Sequence, residues 1–451
     1  MDDAAAPRLE LEDIQGGVLR PRPSPYAATY ILLRIDDRHD GRALLRRLCD
    51  VVTPAAAVAE TADRDAWASV SLTFEGLKAL GVPQASLDSF AWEFRQGMAA
   101  RAPALGDVGE NAPDRWEPPF ASQDIHIILT GVAPDQARLE AAVARAREAI
   151  AELPGVAAIW RQDCHAPPDE KEPFGFKDGI SHPAIEGSGV PGSNPLERPL
   201  KAGELVLGYR DETGGFPAAP QPAILGRNGT YVAFRKLHQN VAEFRRYLRA
   251  NAAGPDDAEL LAAKMMGRWR SGAPLALCPL HDDPALGADN ARNNAFLFRA
   301  DDALGYMTPP GSHVRRCNPR DADVAGVVRL HRMIRRGTAY GPLLPEGVTE
   351  DDGADRGLMF AFVGAHLKRQ FEFVQSEWIN GGDFLGLGDA KDPIAAAADG
   401  AGAFSIPRRP IPRRLRGLAS FVVTRGGEYG FMPSLSALRW LADLQDDGTA
   451  E

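Results

Sequence analysis

Three short segments of this 451-residue sequence hold residues suited to acid–base or ligand chemistry. GFKDGISHP (175–183) sets Asp178 between glycines, where the backbone can take conformations that larger residues resist. An aspartate there is either an Asx-turn former or a carboxylate offered to a substrate, and His182 is open to the same two readings. GSHVRRCNPR (311–320) brings His313 out of Pro309, Pro310 and Gly311, a stiff approach that can hold an imidazole at a fixed angle to a ligand. Cys317, four residues on, could equally form an H-x3-C metal pair. RMIRRGTAYGP (332–342) ends a helix-like stretch with Arg335 and Arg336. Paired arginines usually sit in solvent, but a fixed guanidinium also suits a place where negative charge develops.

The elements that must position these residues fall into two runs. TYILLRI (29–35), ASVSLTF (68–74), DIHIILTG (124–131) and VAAIWRQD (156–163) read as strands. Between them GRALLRRLCDVV, SFAWEFRQGMAAR and PDQARLEAAVARAREAIAEL read as helices. The alternation fits an α+β unit of ferredoxin-like type. Pro and Gly then dominate residues 167–222, which places a boundary there. The second run has GTYVAFRKL and GLMFAFVGAH as strands and VAEFRRYLRANA, PDDAELLAAKMMGRWR and RQFEFVQSEWIN as helices. SFVVTRGGEYGFMPS reads as two strands around a Gly-Gly turn, followed by a final helix SALRWLADL. Two α+β halves, 1–222 and 223–451, are therefore expected, each an antiparallel sheet with peripheral helices. AKDPIAAAADGAGAF and LLPEGVTEDDGADRG read as exposed loops.

Composition narrows the function. A net charge of −10 argues against nucleic acid as partner, because that needs a basic surface to displace counterions. The one basic run, RRPIPRRLR (408–416), reads as a solvated loop or an anion clamp. The four cysteines form no CxxC pair. There is no basic-then-apolar leader and no stretch of ~18 apolar residues, so no membrane association and a cytoplasmic location are expected.

The three motifs together resemble the dye-decolourising peroxidase family: GxxDG at Gly175 to Gly179, H-x-R-x-x-N-P-R at His313 to Arg320, and RRG-x-x-YG at Arg335 to Gly341. DIQGGVLR, FRQGMAARAPALGD, AAKMMGRW and GGEYGFMPSLSAL extend the likeness over most of the chain, in the manner of the longer, insertion-bearing members. The resemblance implies two ferredoxin-like halves with haem held mainly by the second. It implies one haem b per chain on His313, Asp178 as distal acid–base and Arg335 as distal arginine, with Arg336 its rival. Hydrogen peroxide would be reduced, and dyes, phenols or other aromatic donors oxidised, through a high-valent iron–oxo oxidant.

Arg315 is singled out by its place two positions after His313 in a loop-like stretch, and the other secondary roles follow from the likeness. Arg315 is a candidate partner for a haem propionate, Leu358 and Phe360 for the distal pocket wall, and Tyr340 and Trp378 for a radical relay to bulky donors. Thr308-Pro309 and Ser312-His313 replace the family's Cys-Pro and Ala-His, neither change touching the ligand. Glu377 and Asp383 are candidates for the carboxylate that hydrogen-bonds the proximal imidazole. A homo-oligomer is compatible with all this. The alternatives are a haem-binding or haem-handling protein with little turnover, and a non-haem metal hydrolase, which lacks a local signature such as HExxH.

Overall fold

The computed structural model describes residues 8–58, 66–324 and 326–445. Its main sheet is built twice on one plan. In the first half the strands are β1 (Ala27–Ile35), β2 (Trp67–Leu72), β3 (Ile127–Ala133) and β4 (Val156–His165), and they lie side by side in the order β4-β1-β3-β2, all antiparallel. In the second half β5 (Thr230–Gln239), β6 (Ile334–Arg335) with β7 (Thr338–Tyr340), β8 (Gly357–Gly364) and β11 (Val422–Met432) lie in the order β11-β5-β8-β6/β7. Numbered within its own half, each set reads fourth-first-third-second, the ferredoxin-like order. The remaining strands, β9 (Asp399–Ile406) and β10 (Arg413–Ala419), form a separate hairpin.

The two sheets meet edge to edge. Phe431 of β11 pairs with Leu72 of β2, and at the far edges β4 lies against β7, so the strands close on themselves. Both sheets therefore bury their edges, which removes the exposed strand edge that each half would present alone. Strand β2 is buried at every residue, lying between β3 and β11. Helices Arg38–Leu48 and Gln136–Ala151 cover the first half, capped by Asp37 and Asp135, whose carboxylates accept the Asp40 and Arg138 N–H groups at 2.9 Å. No helix among the described residues is long and apolar enough to cross a membrane.

Four local expectations differ from what is observed. SFVVTRGGEYGFMPS is one continuous strand, β11, with a register shift between Thr424 and Gly426. Its glycines serve close packing: a Cβ on Gly426 would strike the Phe120 ring at 2.2 Å, and one on Gly427 the Met98 sulfur at 2.4 Å. The stretch before Arg335 is extended, because it completes the sheet against β8. RRPIPRRLR and the end of AKDPIAAAADGAGAF are the β9–β10 hairpin, where pairing between the two segments overrides their loop-like composition. SFAWEFRQGMAAR is two helices, Trp92–Gln96 and Met98–Leu105, separated by Gly97 at φ +75°.

Candidate active site

The long connection between β5 and β6 carries His313. Pro255–Met266 ends at Gly267, whose φ of +99° closes the helix and whose missing side chain leaves room for Val314, 3.0 Å from where a Cβ would stand. The next helix, His313–Cys317, is one turn long and opens at His313. At 100° per residue, Cys317 returns to the face of His313, whereas Arg315 points nearly opposite. The structure follows this rule. Cys317 Sγ stands 3.7 Å from both ring nitrogens of His313, and both residues line one cavity of about 270 Å³.

His313 Nδ1 lies 2.9 Å from Oδ2 of Asp392. Asp392 is 4% exposed, and its Oδ1 accepts the N–H groups of Ile394 and Ala395 at 2.8 and 2.9 Å. Burial works against a proton on His313, but the neighbouring Cys317 and Asp392 outweigh it and hold the imidazole well above its ordinary value. Burial would raise Asp392, yet His313, then the Ala395 N–H and the Arg316 charge, bring it below the usual carboxylate range. With Nδ1 engaged, Nε2 is the ring atom left to bind a metal. His313, Cys317 and Asp392 are also the one group among the described residues close enough to share an ion directly. The hydrogen-bonding distance from Asp392 to Nδ1 makes that carboxylate a partner of the ring instead. Glu377 and Asp383 are both exposed, so the expectation that one of them serves this role is corrected to Asp392.

Asp178 and Arg335 line the same cavity as His313. Strands β6 and β7 keep one register against β8, from Ile334↔Val363 to Tyr340↔Gly357, with a lapse at Arg336 and Gly337. Alternation along this extended segment sends Arg335 and Arg336 to opposite faces. Arg335 lines the cavity and donates to Ser181 O at 3.3 Å. Arg336 is buried on the other side and donates to Gly17 O and Val18 O at 3.3 and 3.2 Å. Gly337 turns back toward Asp178: a Cβ there would come 3.7 Å from Asp178 Oδ2. Leu358 and Phe360, on alternate positions of β8, supply an apolar wall, with Phe371, Val374 and Ile379 beside them. The last three lie in helical turns of the wide π type, Leu367–Glu372 and Val374–Ile379.

Four of the residues singled out in the sequence lie outside the cavity wall. Arg315 is not in the cavity wall. It is buried, donates to Asp302 O and Thr308 O at 3.1 and 2.9 Å, and stands 3.6 Å from the Asp302 carboxylate, so it is corrected from ligand partner to internal brace. Tyr340 and Trp378 are 1% and 3% exposed and do not line the cavity, so neither ring meets a bulky donor directly. Tyr340 donates to Asp355 Oδ1 at 3.2 Å, and Trp378 packs edge-on to His331 and Phe373. His182 is also outside the wall; it is wedged among arginines, and burial first, then the charges of Arg336 and Arg335, drives its imidazole well below the ordinary value.

Sequence reasoning missed Arg268 and Arg320. Both line the cavity, and both donate to Asn294 Oδ1, at 2.6 and 3.0 Å. Their other partners are main-chain carbonyls, with no carboxylate among the partners described. Burial pushes Arg268 down to about 10 and Arg320, which also feels Arg268, to about 9. Arg320 Nε is buried without a partner, and its backbone has φ +57°, a strained setting for a side chain. Two neighbouring guanidiniums that line a cavity and are hydrogen-bonded to no described carboxylate suit an anionic ligand. An apolar wall, an imidazole whose Nδ1 is held by a carboxylate, and two guanidiniums in one cavity fit a dianionic iron macrocycle.

The comparisons with known proteins agree with that chemistry. A family model described as the DyP dimeric alpha+beta barrel domain matches residues 13–155. The dye-decolorizing peroxidase AauDyP1 of Auricularia auricula-judae is 32% identical over 476 residues, covering 96% of this chain and 87% of its own. This chain belongs to the dye-decolourising peroxidase family. The dye-decolorizing peroxidase msp1 of Mycetinis scorodonius is 30% identical with the same coverage. A crystal structure of a fungal DyP-type peroxidase from Auricularia auricula-judae superposes with a TM-score of 0.83 at 28% identity, covering 97% of this chain and all of that one. The DyP fold accounts for the doubled ferredoxin-like plan, and membership makes the chain a DyP-type peroxidase with a haem cofactor rather than a haem carrier or a hydrolase.

Proposed function

We propose that this DyP-type peroxidase binds one haem b per chain through His313 Nε2, reduces hydrogen peroxide with Asp178 and Arg335, and oxidises phenols, dyes and other aromatic donors. The observation that carries the reading is the convergence of His313, Asp178 and Arg335 on one cavity. Arg268 and Arg320 would hold the propionates. A relative solved with 2,6-dimethoxyphenol supports the donor class.

When bound, haem supplies the two-electron reduction of peroxide and the oxidising power passed to donors. The protein's own groups do the rest. Asp178 accepts the proton of one peroxide oxygen and returns it to the other, which leaves as water. Arg335, fixed by Ser181 and by its strand, stabilises the negative charge on the departing oxygen. Asp392 holds the His313 ring in one orientation and keeps its Nε2 electron-rich. Tyr340, hydrogen-bonded to Asp355, can lose its proton to that carboxylate as it is oxidised, which suits it to relay electrons from donors too large to enter. The same reading assigns residues 1–222, with the Asp178 loop, to the first half and 223–451, with His313, to the second, supported by the repeated strand order.

The deciding experiment is the visible spectrum of the haem-loaded protein before and after one equivalent of peroxide, with a pyridine haemochrome to type the haem. A Soret band that shifts and is restored by a phenol supports the proposal. A protein that stays colourless in excess haem ends it.

A further inference from the structure

The loop that presents Asp178 is folded over the carboxylate that begins it. Glu172 is 8% exposed and lines the cavity. Its Oε2 accepts the N–H of Phe174 at 3.0 Å and its Oε1 that of Phe176 at 2.9 Å. The side-chain amide of Gln239, at the end of β5, donates to Oε2 as well. The main chain closes the same ring, with Glu172 N donating to Phe176 O at 2.9 Å and Gly175 in the left-handed region at φ +94°.

The carbonyl side of the turn is held by an opposite charge. Arg270, paired with Glu259, donates to Phe174 O, and its own carbonyl accepts the Lys177 N–H at 3.1 Å. The turn thus has its N–H groups on a carboxylate and a carbonyl on a guanidinium, while Phe174 packs 4.8 Å from Phe244. Asp178 follows two residues after the last N–H that Glu172 holds. A buried carboxylate is costly unless its hydrogen bonds offset the lost hydration, and burial pushes Glu172 up to about 7 against its three donors. Packing alone would be served by an apolar residue at this place.

We propose that Glu172 is a positioning residue for Asp178: its carboxylate fixes the 172–178 turn to β5 and so sets where the Asp178 carboxylate stands over the cavity. The inference rests on the reading of Asp178 as the proton carrier. It assigns Glu172 no contact with peroxide. A glutamine retains the shape and one acceptor but brings a donor against the Phe174 or Phe176 N–H, and an alanine removes every bond, so the displacement of Asp178 should grow in that order.

The test uses haem-loaded parent, Glu172→Gln, Glu172→Ala and Asp178→Asn. Haem content, Soret position and melting temperature are measured beside two rates: the bimolecular reaction with peroxide, and the association of cyanide followed by its Soret shift. Cyanide enters as the acid and must lose its proton, so its rate reads the proton acceptor without turnover. Glu172→Gln should slow both rates ~10-fold and Glu172→Ala ~100-fold, the scale of a misplacement of about 1 Å, with haem content and Soret position unchanged. The proposal is overturned if the Glu172 variants keep the parent rates while Asp178→Asn is slow. It is equally overturned if Glu172→Gln is slow only in proportion to haem lost. Parent rates in Asp178→Asn would be a different failure, that of the underlying reading of Asp178.

Discussion

Asp392 and His313 are 79 positions apart in the chain, yet their side chains meet at 2.9 Å. Asp392→Asn would set an amide donor against the ring N–H or force the other tautomer. Haem affinity should fall ~10 to 100-fold, the usual effect of losing a partner behind a metal ligand, and the ferric–ferrous potential should rise. Haem transfer to apomyoglobin and spectroelectrochemistry measure the two. Unchanged values would remove Asp392 from this role.

Arg335 and Arg336 should separate cleanly. Arg335→Ala is expected to slow the peroxide reaction ~100 to 1,000-fold with haem retained. Arg336→Ala, which strips donors from Gly17 O and Val18 O, should instead lower the melting temperature. Stopped-flow rates and thermal melts of both variants decide it, and a reversed pattern would exchange their roles.

Loss of the Arg268 or Arg320 guanidinium should be felt by haem. Arg320→Leu and Arg268→Leu are expected to weaken haem retention, whereas Arg315→Leu should leave it near the parent value and destabilise the fold around Asp302. Titration of the apoprotein with haemin, paired with urea unfolding, distinguishes these outcomes.

The acid–base balance of folding carries a signature of Glu172. Its carboxyl ionises near 4.5 when unfolded and is pushed up to about 7 in the fold. Between those values the folded state binds the extra proton, so stability falls as pH rises. This group should cost about 1 to 3 kcal/mol between pH 5 and pH 8. Urea unfolding at the two pH values should show a smaller decline for Glu172→Gln than for the parent. Equal declines would remove Glu172 as the source.

Tyr340→Phe should keep haem and the peroxide reaction but lower turnover of bulky dyes more than that of a small phenol. Trp378→Phe is expected to do less, because its ring is enclosed by His331, Phe373 and Phe384. Steady-state rates on both donor classes test this, and equal losses on the two would argue against a relay.

The strands were readable because half-buried alternation and fully apolar runs leave a local mark, and β1 to β5 emerged within a few residues of their observed limits. The motifs carried Asp178, His313 and Arg335 into one cavity. Asp392 left no such mark. Its segment is rich in alanine and resembles a loop, and only tertiary folding brings it to the imidazole. Arg315 is near His313 in sequence but not in the cavity, because a residue two positions along a helical turn faces away. The glycines of β11 were read as a turn because close approach by Phe120 and Met98 cannot be seen from one strand alone.

Arg335, the last residue of β6, and Arg336 just after it stand on opposite sides of an extended segment, one lining the cavity and the other hydrogen-bonded to the Gly17 and Val18 carbonyls. Such an arrangement is indifferent to much of the surrounding chemistry but acutely sensitive to counting. Gaining or dropping a single amino acid just ahead of them would exchange the sides on which they stand, so spacing here matters as much as the identity of the two residues.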